Sequence, residues 1–424
     1  MPDSNILARR RKVLGASPLF YENPLEIERG EGAYLYGKDG RRYLDCYNNI
    51  PSVGHCNPLV ADAIAKQAKT LNIHSRYIAD GVVQYAERLL SFFPPQFEQV
   101  MFTCTGSEAN DQALRMARML GPGRGIICTN YTYHGNTAAV DAVSPLFHHG
   151  QRDDPEVHPI PFPETYRPLN GLSGEALTQA YLDHLKDAIQ GFESSGVGFA
   201  GMIICSIFAN EGLPNVPEGF IEQAVQLVHE AGGLIIADEV QAGFARTGKM
   251  WGFELQGFEP DIVTLGKPMG NGYPIAGLVS RADLLDAYRE RVFYFNTFAG
   301  ASIATAAANA VLDVIEQQDL RKNAARVGDY IRNGFRQLKE RFPIIDDIRG
   351  AGLWIGIELV RDRDSLEPAT DETHRLVNLL REDGVLLNRI GPYDNVLKIR
   401  PPLILTLEQA DDLLAAVERA LLRL

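Results

Sequence analysis

A lysine and an aspartate each stand where an apolar run of the sequence ends. Lys267 follows the run 262–265 among glycine and proline residues that do not continue a helix, and Asp238 ends the run 233–238. A lysine amine forms a Schiff base with an aldehyde, and a carboxylate keeps a ring nitrogen protonated. A cofactor that carries both an aldehyde and a basic ring nitrogen needs a lysine and an acid in its site. The sequence therefore predicts a site for pyridoxal 5'-phosphate, with Lys267 and Asp238 as the catalytic residues.

A turn that could bind the phosphate of this cofactor precedes the helix-like segment 108–120. The chain passes from an apolar run through Thr105, Gly106 and Ser107 into that segment. Free backbone N–H groups and the helix dipole make such a turn an anion-binding site. Alternatively, Ser107 is only a helix N-cap. The lysine elsewhere in the sequence favours phosphate binding.

Further side chains could complete the site, and each has a structural alternative. Gln241 could reach the phenolic oxygen of the cofactor. Tyr133, beside His134, could stack on its ring or serve only in packing. Thr297 could give a hydroxyl to the phosphate or open a helix. Arg400 could bind a carboxylate through its planar guanidinium group or form a structural ion pair.

The elements that must position these residues alternate between short apolar runs and amphipathic segments. Segments 108–120 and 221–231 read as helices. The apolar runs read as buried strands and are 100–104, 125–129, 201–208, 234–240, 262–265 and 275–280. This alternation is typical of an α/β fold with a mostly parallel sheet covered on both faces. Ligands of such sheets bind at the carboxyl ends of the strands, which is where the candidate residues fall.

The two ends of the chain have a different pattern. Residues 32–44 predict a hairpin with a polar turn at 38–40, and a stripe of apolar residues from Leu407 to Leu421 predicts a final helix. We expect residues 1–60 and 310–424 to form one smaller α+β domain beside a large cofactor-binding domain at 61–309. A length of 424 residues fits two domains.

Charge and composition exclude several classes of protein. A net charge of −13 argues against a nucleic-acid surface, and no apolar stretch is long enough for a membrane span. The basic run 9–12 reads as part of a solvated helix rather than a targeting signal. Five cysteines without C-x-x-C spacing predict a reduced, cytoplasmic protein. The pair His148 and His149 lacks metal-ligand spacing, so no metal site is expected.

Five motifs, in order, resemble those of the class III pyridoxal-phosphate aminotransferases. They are Thr-Gly-Ser-Glu-Ala-Asn at 105–110, Tyr-His-Gly at 133–135, Asp-Glu-Val-Gln-x-Gly-Phe-x-Arg-Thr-Gly at 238–248, Gly-Lys-x-Met-Gly-Asn-Gly-Tyr-Pro at 266–274 and Asn-Thr-Phe-Ala-Gly at 296–300. The resemblance spans the chain from Gly32 to the last helix. It is greatest to the branch with alanine–glyoxylate aminotransferase 2 and ω-amine:pyruvate transaminases.

The resemblance implies fold type I and a homodimer with shared active sites. Lys267 would bind the cofactor covalently, Asp238 would face its ring nitrogen, and Thr297 of the neighbouring subunit would join Gly106 and Ser107 at its phosphate. The other implied contacts are Tyr133 on the ring, with His134 in the same motif, Gln241 at the phenolic oxygen and Arg400 at the substrate α-carboxylate.

Two departures from the family pattern bear on the substrate. Where many relatives have Glu-Pro-x-Gln-Gly, this chain has Ser206 at the position of the glutamate that pairs with the substrate arginine. Arg400 is therefore expected to lack that partner. The family's Gly-His-x-His-Pro appears here with Asn57 in place of the second histidine, for which the sequence gives no functional account.

The predicted reaction moves an amino group from an amine, an amino acid or an ω-amino acid to a keto acid such as pyruvate. Lys267 would serve as the general base. A phospho-lyase acting on a phosphorylated amino alcohol, a nucleotide-binding oxidoreductase and a non-catalytic scaffold are the alternatives. The Gly-x-Gly-x-x-Gly motif that a nucleotide-binding oxidoreductase would have after its first strand is missing from this chain. Candidate pocket walls are Phe20, Tyr21, Tyr47, Ile50 and Tyr77.

Overall fold

The computed structural model describes residues 4–147 and 154–424. Its strands there are β1 (Ile27–Glu31), β2 (Tyr34–Gly37), β3 (Arg42–Asp45), β4 (Gln99–Thr103), β5 (Gly125–Thr129), β6 (Val157–Ile160), β7 (Phe199–Cys205), β8 (Leu234–Asp238), β9 (Ile262–Leu265), β10 (Ala276–Ser280), β11 (Ile345–Ala351), β12 (Trp354–Asp362), β13 (Glu367–Pro368), β14 (Val385–Leu386), β15 (Asn388–Ile390) and β16 (Val396–Ile399).

The α-helices of the same ranges cover both flanks and the middle of the chain. They are α1 (Ser4–Leu14), α2 (Pro58–Ala68), α3 (Asp80–Leu90), α4 (Gly106–Leu120), α5 (Ala138–Ala142), α6 (Gly174–Ser195), α7 (Phe220–Glu230), α8 (Gly252–Gln256), α9 (Ala282–Arg291), α10 (Ser302–Gln317), α11 (Leu320–Arg341), α12 (Thr370–Glu382) and α13 (Leu407–Leu421).

A seven-stranded sheet with the order β4-β10-β9-β8-β7-β5-β6 carries the central part of the chain. Strand β10 runs antiparallel to both neighbours, whereas the pairs β9–β8, β8–β7, β7–β5 and β5–β6 are parallel. The α/β class with a mostly parallel sheet is therefore confirmed. Because the parallel strands point the same way, their carboxyl ends meet at one edge.

Both faces of this sheet are buried. Alternate residues of each strand point to opposite sides, and the residues on each side pack in an apolar cluster. Ile203 of β7 and Ile236 of β8 pack in one apolar cluster with Leu114 of α4. Their neighbours Met202 and Ile235 pack in a second cluster, which includes residues of α6 and α7. Strands buried on both sides read as continuous apolar runs, so the sequence located them well.

Several predicted strands end earlier than their apolar runs do. The run 201–208 forms a strand only to Cys205, and the run 234–240 only to Asp238. Ser206, Glu239 and Val240 are buried all the same, because the loops that follow these strands lie inside the protein. Hydrophobicity therefore reports burial here, and it does not mark where the strand stops.

Two smaller sheets lie outside the central one, and the first joins the N-terminal and C-terminal segments. The predicted hairpin is formed by β2 and β3, and β14 pairs with β3 in parallel, which aligns Asp45 with Leu386. A second sheet has the order β11-β12-β16-β15, with β13 beside β12. The predicted final helix is α13. The division at residues 60 and 310 stays a prediction.

Four sequence expectations concern the basic run, the cysteines, a membrane span and a metal site. The basic run 9–12 lies on helix α1, mostly exposed, and all five cysteines are free. No helix within the described ranges combines the length and the apolar character that crossing a membrane requires. The same ranges hold no group of three or more acidic, histidine or cysteine side chains placed to bind a metal. His148 and His149 lie outside the described residues.

The packing of α11 against the turn between β11 and β12 yields a stability prediction. A methyl group on Gly328 would lie 1.8 Å from the backbone carbonyl oxygen of Gly352, which a side chain cannot displace. We expect Gly328→Ala to lower the free energy of unfolding by about 1–3 kcal/mol or more, measured by urea denaturation.

Gly191 provides a matched control within helix α6. It is exposed, and a methyl group there would meet no atom within 4 Å. Gly191→Ala should raise the free energy of unfolding by about 0.5–1 kcal/mol, because alanine loses less backbone entropy in a helix. Equal effects of the two substitutions would contradict the packing argument.

Candidate active site

Asp238 ends β8 at the edge where the parallel strands terminate, and its carboxylate is 5% exposed. Its Oδ2 accepts hydrogen bonds from Asn110 Nδ2 at 3.1 Å and lies 2.6 Å from His134 Nδ1. Its Oδ1 accepts from the backbone N–H of Val240 at 3.0 Å. A buried carboxylate needs such donors to offset the loss of water. The side chain is thus held in one orientation.

The two side chains that contact the Asp238 carboxylate, Asn110 and His134, are themselves held by other residues. Asn110 Oδ1 accepts from the hydroxyl of Thr264 at 2.6 Å, and Asn110 Nδ2 also donates to the carbonyl of His134 at 2.7 Å. The other ring nitrogen of His134 lies 3.1 Å from the hydroxyl of Thr132. Both ring nitrogens of His134 are therefore engaged within the protein. Its direct contact with a cofactor stays a prediction, whereas its contact with Asp238 is observed.

Lys267 follows β9, the strand next to β8, and opens a short 3-10 turn with Pro268. Its φ of +32° is uncommon for a residue with a side chain, and such strained backbone clusters at functional sites. Burial lowers the pKa of Lys267, and the charge of Arg400 lowers it further, whereas the carboxylate of Asp238 raises it. The three residues therefore face a common region.

Helix α4 begins at the same edge of the sheet. The hydroxyl of Thr105 accepts from the N–H of Glu108 at 3.2 Å, which forms a capping box with the Glu108 carboxylate. The N–H groups of Gly106 and Ser107 have no acceptor within the helix. They remain available to an anion at the positive end of the helix dipole.

Glycines keep the space around this helix end narrow and open to a ligand. A methyl group on Gly106 would lie 2.8 Å from the side chain of Val240, and one on Gly135 would lie 2.4 Å from Ser107 Oγ. Gly266 adjoins the backbone of Gly106. Only residues without a side chain fit this close approach of three loops. The cradle suits a group that binds to backbone N–H groups.

The predicted ring-stacking residue Tyr133 lies on the loop after β5, partly exposed. Its ring packs edge-on against Phe147 at 5.2 Å, and its carbonyl accepts a long hydrogen bond of 3.5 Å from Asn210 Nδ2. The motif with His134 places Tyr133 one residue from a partner of Asp238. The stacking role stays a prediction.

Arg400 directly follows β16 and is held by neutral acceptors. Its Nε donates to the carbonyl of Tyr47 at 2.6 Å, its Nη1 donates to Gln241 Oε1 at 2.7 Å, and its guanidinium lies 4.4 Å from the centre of the Tyr47 ring. Burial lowers the pKa of Arg400. No described carboxylate lies within ion-pair distance of it. Its charge is thus free to meet an anion.

Ser206, at the position where many relatives have a glutamate, lies close to a different carboxylate, that of Glu239. Ser206 is buried next to Gly252, in the region where the carboxylate of Glu239 accepts the N–H groups of Gly252 and Phe253. Burial raises the pKa of Glu239 to about 7. Arg400 has no carboxylate partner among the described residues, as expected from Ser206, and the amide oxygen of Gln241 accepts its hydrogen bond instead. The sequence missed this partner because it assigned Gln241 only to the cofactor.

The candidate pocket-wall residues and Thr297 do not lie together in the structure. Tyr47 contacts Arg400 and packs edge-on against Phe20 at 5.1 Å, whereas the Tyr21 hydroxyl donates to the carbonyl of Leu387. Tyr77 lies against His74 and is exposed, as is Thr297. Ile50 is also exposed at 44%. Of these residues, only Tyr47 touches Arg400 directly.

Asn57, whose role is not evident from the sequence, has a structural function. Its Oδ1 accepts from the N–H of Leu59 at 3.1 Å, so it caps helix α2, and its Nδ2 donates to the carbonyl of Val53. These bonds fix the loop before α2.

Sequence reasoning missed two buried polar residues of this region. Asn110 lies within the motif at 105–110, and its position one helical turn after Gly106 was the available signal. Lys398 is 3% exposed on β16, two residues before Arg400. A lysine that alternates with an arginine on an apolar strand was the signal there, because such strands seldom bury two cations.

Comparison with known proteins gives the family. The model for "Aminotransferase class-III" matches residues 20–421. The alanine–glyoxylate aminotransferase 2-like protein of Drosophila melanogaster is 38% identical over 98% of this chain and 86% of its own length.

Solved structures show the same fold. A phospholyase from Arthrobacter, in complex with phosphoethanolamine, is 42% identical with a TM-score of 0.96 over 99% of this chain and 100% of its own. The ω-transaminase of Pseudomonas jessenii, in complex with PMP, is 28% identical with a TM-score of 0.88 over 98% and 94%.

These matches cover nearly the whole chain and exclude the dinucleotide-dependent oxidoreductase. The motifs that suggested the family lie at the edge of the sheet, around Lys267 and Asp238. The protein belongs to the class III aminotransferases, the pyridoxal-phosphate-dependent enzymes of fold type I that its motifs resemble.

Proposed function

We propose that this protein is a transaminase that moves an amino group from an amine, an amino acid or an ω-amino acid to a keto acid such as pyruvate, in two half-reactions. The observation that carries the proposal is the common placement of three residues. Asp238 ends β8, Lys267 follows the adjacent strand β9, and Arg400 bonds to Gln241 three residues after Asp238. They provide a base, a partner for a protonated ring and a binding group for a carboxylate.

The residues present fit pyridoxal phosphate. Gly106 and Ser107 would hold its phosphate at the amino end of α4, Asp238 its ring nitrogen, and Lys267 its aldehyde carbon. The Nε2 of Gln241 has no partner among the described residues and would donate to the phenolic oxygen, while Oε1 keeps its bond to Arg400. Tyr133 would stack on the ring.

The chain's own groups then divide the work of proton transfer. When bound, the cofactor supplies an aldehyde that condenses with amines and a protonated ring that withdraws electrons. Lys267 would take the proton from the substrate carbon next to nitrogen onto its Nζ and would later release it, so that it would serve first as general base and then as general acid. Its lowered pKa increases the fraction of free amine near neutral pH. Asp238 keeps the ring nitrogen protonated by charge pairing.

His134 acts in this scheme as a positioning residue. It contacts Asp238 Oδ2 and Thr132, and it lies 4% exposed behind the carboxylate. Asn110 supports the same oxygen. Together they set the direction of the Asp238 carboxylate and so the position of the ring nitrogen that it would bind.

A homodimer with shared active sites would bring Thr297 to the phosphate of the neighbouring subunit. Supporting this proposal, the segment around Thr297 exposes Phe293 at 83% and Phe298 at 72%, and Ile78 is exposed at 98%. Large apolar side chains exposed together are typical of a surface that another subunit covers.

A phospho-lyase is the second candidate, and a solved structure favours it. The Arthrobacter phospholyase is 42% identical to this chain, and it was solved with phosphoethanolamine. In that reaction the same lysine would remove the proton, and a phosphate group would leave without any keto acid. A non-catalytic scaffold is the third alternative; it would not require the lysine and the aspartate that this chain retains.

The role of Lys267 is tested by Lys267→Ala. We expect amino transfer to fall by at least about 100-fold, because the general base is lost, while the cofactor still binds without a covalent bond. Absorbance in the visible range should be present in the wild type and respond to an amine donor, and it should change position in the variant. A colourless wild type that added pyridoxal phosphate does not restore would refute the proposed cofactor.

The positioning role of His134 is tested by His134→Ala. Loss of one partner of a buried carboxylate costs about 1–3 kcal/mol, so turnover should fall by about tenfold to a hundredfold, and the pH profile of the bound cofactor's absorbance should shift. His229→Ala is the control, since His229 of α7 forms a histidine–aspartate pair with Asp261 at 2.9 Å, just before β9 and away from Asp238. If the control shifts the pH profile equally, the role is structural.

Transaminase and lyase are separated by their products. With phosphoethanolamine as the only substrate, a lyase releases inorganic phosphate without an acceptor. A transaminase consumes an amine donor only when pyruvate or 2-oxoglutarate is added. We expect acceptor-dependent turnover; phosphate release in its absence would establish the second candidate instead.

A further inference from the structure

Lys398 is a second buried cation beside Arg400. The two residues are two positions apart at the end of β16, so their side chains lie on the same face of the sheet. Both contact the ring of Trp354, at 5.3 Å for Lys398 Nζ and 5.4 Å for the Arg400 guanidinium. They thus lie in one region of the protein, next to the proposed site of Lys267.

No described side chain neutralises Lys398. Its Nζ donates a long hydrogen bond of 3.4 Å to Asn210 Oδ1, and no described carboxylate lies within ion-pair distance. An unpaired ammonium in the interior is costly, because it loses its water without gaining a counter-ion. Burial lowers the pKa of Lys398 well below its usual range, and the charge of Arg400 is the next cause.

The nearby carboxylates are committed elsewhere. Glu211 accepts from the hydroxyl of Thr129 at 2.5 Å and from the N–H of Asn210 at 3.0 Å, and burial raises its pKa, which favours its neutral form. Asp238 is held by its own donors and would serve the cofactor. Asp45 also acts on Arg400 from a greater distance, and its Oδ2 lies 2.7 Å from His55 Nε2. Lys398 and Arg400 therefore form a pair of cations with no described carboxylate within ion-pair distance.

A single carboxylate needs only one of these cations. The guanidinium of Arg400 can bind a carboxylate by itself, with two parallel hydrogen bonds. A phosphate monoester carries about two negative charges near pH 8 and presents three acceptor oxygens, so it can engage both cations at once.

We infer that Lys398 and Arg400 form a subsite for a dianionic phosphoryl group, so that the preferred amine substrate carries a phosphate or phosphonate. The inference rests on the proposed function for the site of amine reaction, which is Lys267. It holds whether the amine is then transaminated or loses its phosphate, since it concerns the binding of the acidic group.

Binding of unreactive anions tests the subsite apart from the reaction. Ethyl phosphate and propionate both lack an amine, and calorimetry on the cofactor-loaded enzyme at pH 8 gives their dissociation constants. We expect ethyl phosphate to bind about tenfold or more tightly than propionate. Inorganic phosphate serves as a third probe, to show whether the subsite needs the organic part. Equal or reversed affinities of ethyl phosphate and propionate would overturn the inference.

Lys398→Met separates the two cations. Replacing a buried, unpaired charge by an apolar side chain of similar size is compatible with folding. The variant should bind ethyl phosphate about tenfold more weakly and propionate within about threefold of the wild type, and Lys398→Arg should restore the preference. An equal loss for both anions, or no loss, would sink the inference. If Lys398→Met does not fold, the wild-type comparison and Lys398→Arg still decide.

The outcomes distinguish this inference from the proposed function. A protein that reacts with amines in the presence of pyridoxal phosphate but shows no preference for ethyl phosphate retains the proposed function and loses the inference. A protein that prefers ethyl phosphate through Lys398 but consumes no amine loses the proposed function and retains the anion subsite.

Discussion

The site depends on one buried carboxylate and on the donors that hold it. Asp238 lies at the end of β8 with three hydrogen-bonding partners, and each comes from a different part of the large sheet region. A buried charge without such partners would be protonated or would disrupt the fold. The loop after β5, helix α4 and the loop after β8 must therefore meet at this point, and that meeting also builds the glycine cradle.

Much of this could be predicted from the sequence, because local patterns determine it. Strands buried on both faces are apolar throughout, and Lys267 and Asp238 follow such strands. The sequence patterns could not predict that Gln241 bonds to Arg400 or that Lys398 is buried beside Arg400. Those contacts join β16 to loops of the central sheet, and only tertiary packing brings them together.

Charge balance separates the two halves of the site. On the cofactor side, Asp238 would offset a protonated ring, and a helix amino end would offset a phosphate. On the substrate side, Arg400 and Lys398 have only neutral partners among the described residues. The protein thus provides a carboxylate, Asp238, for the protonated ring of the cofactor. The anion that would pair with Arg400 and Lys398 would come from the substrate.

The parallel pairing of β14 with β3 has a consequence for synthesis on the ribosome. Asp45 and Leu386 are aligned in that pair, and the N–H of Arg400 bonds to the carbonyl of Cys46. The N-terminal strands emerge about 340 residues before these partners, which at ribosomal speed is on the order of tens of seconds. The central sheet can fold in that interval, while the exposed edge of β3 waits for its neighbour. The order of synthesis therefore allows the glycine cradle to form before the strands that carry Arg400 and Lys398 are paired.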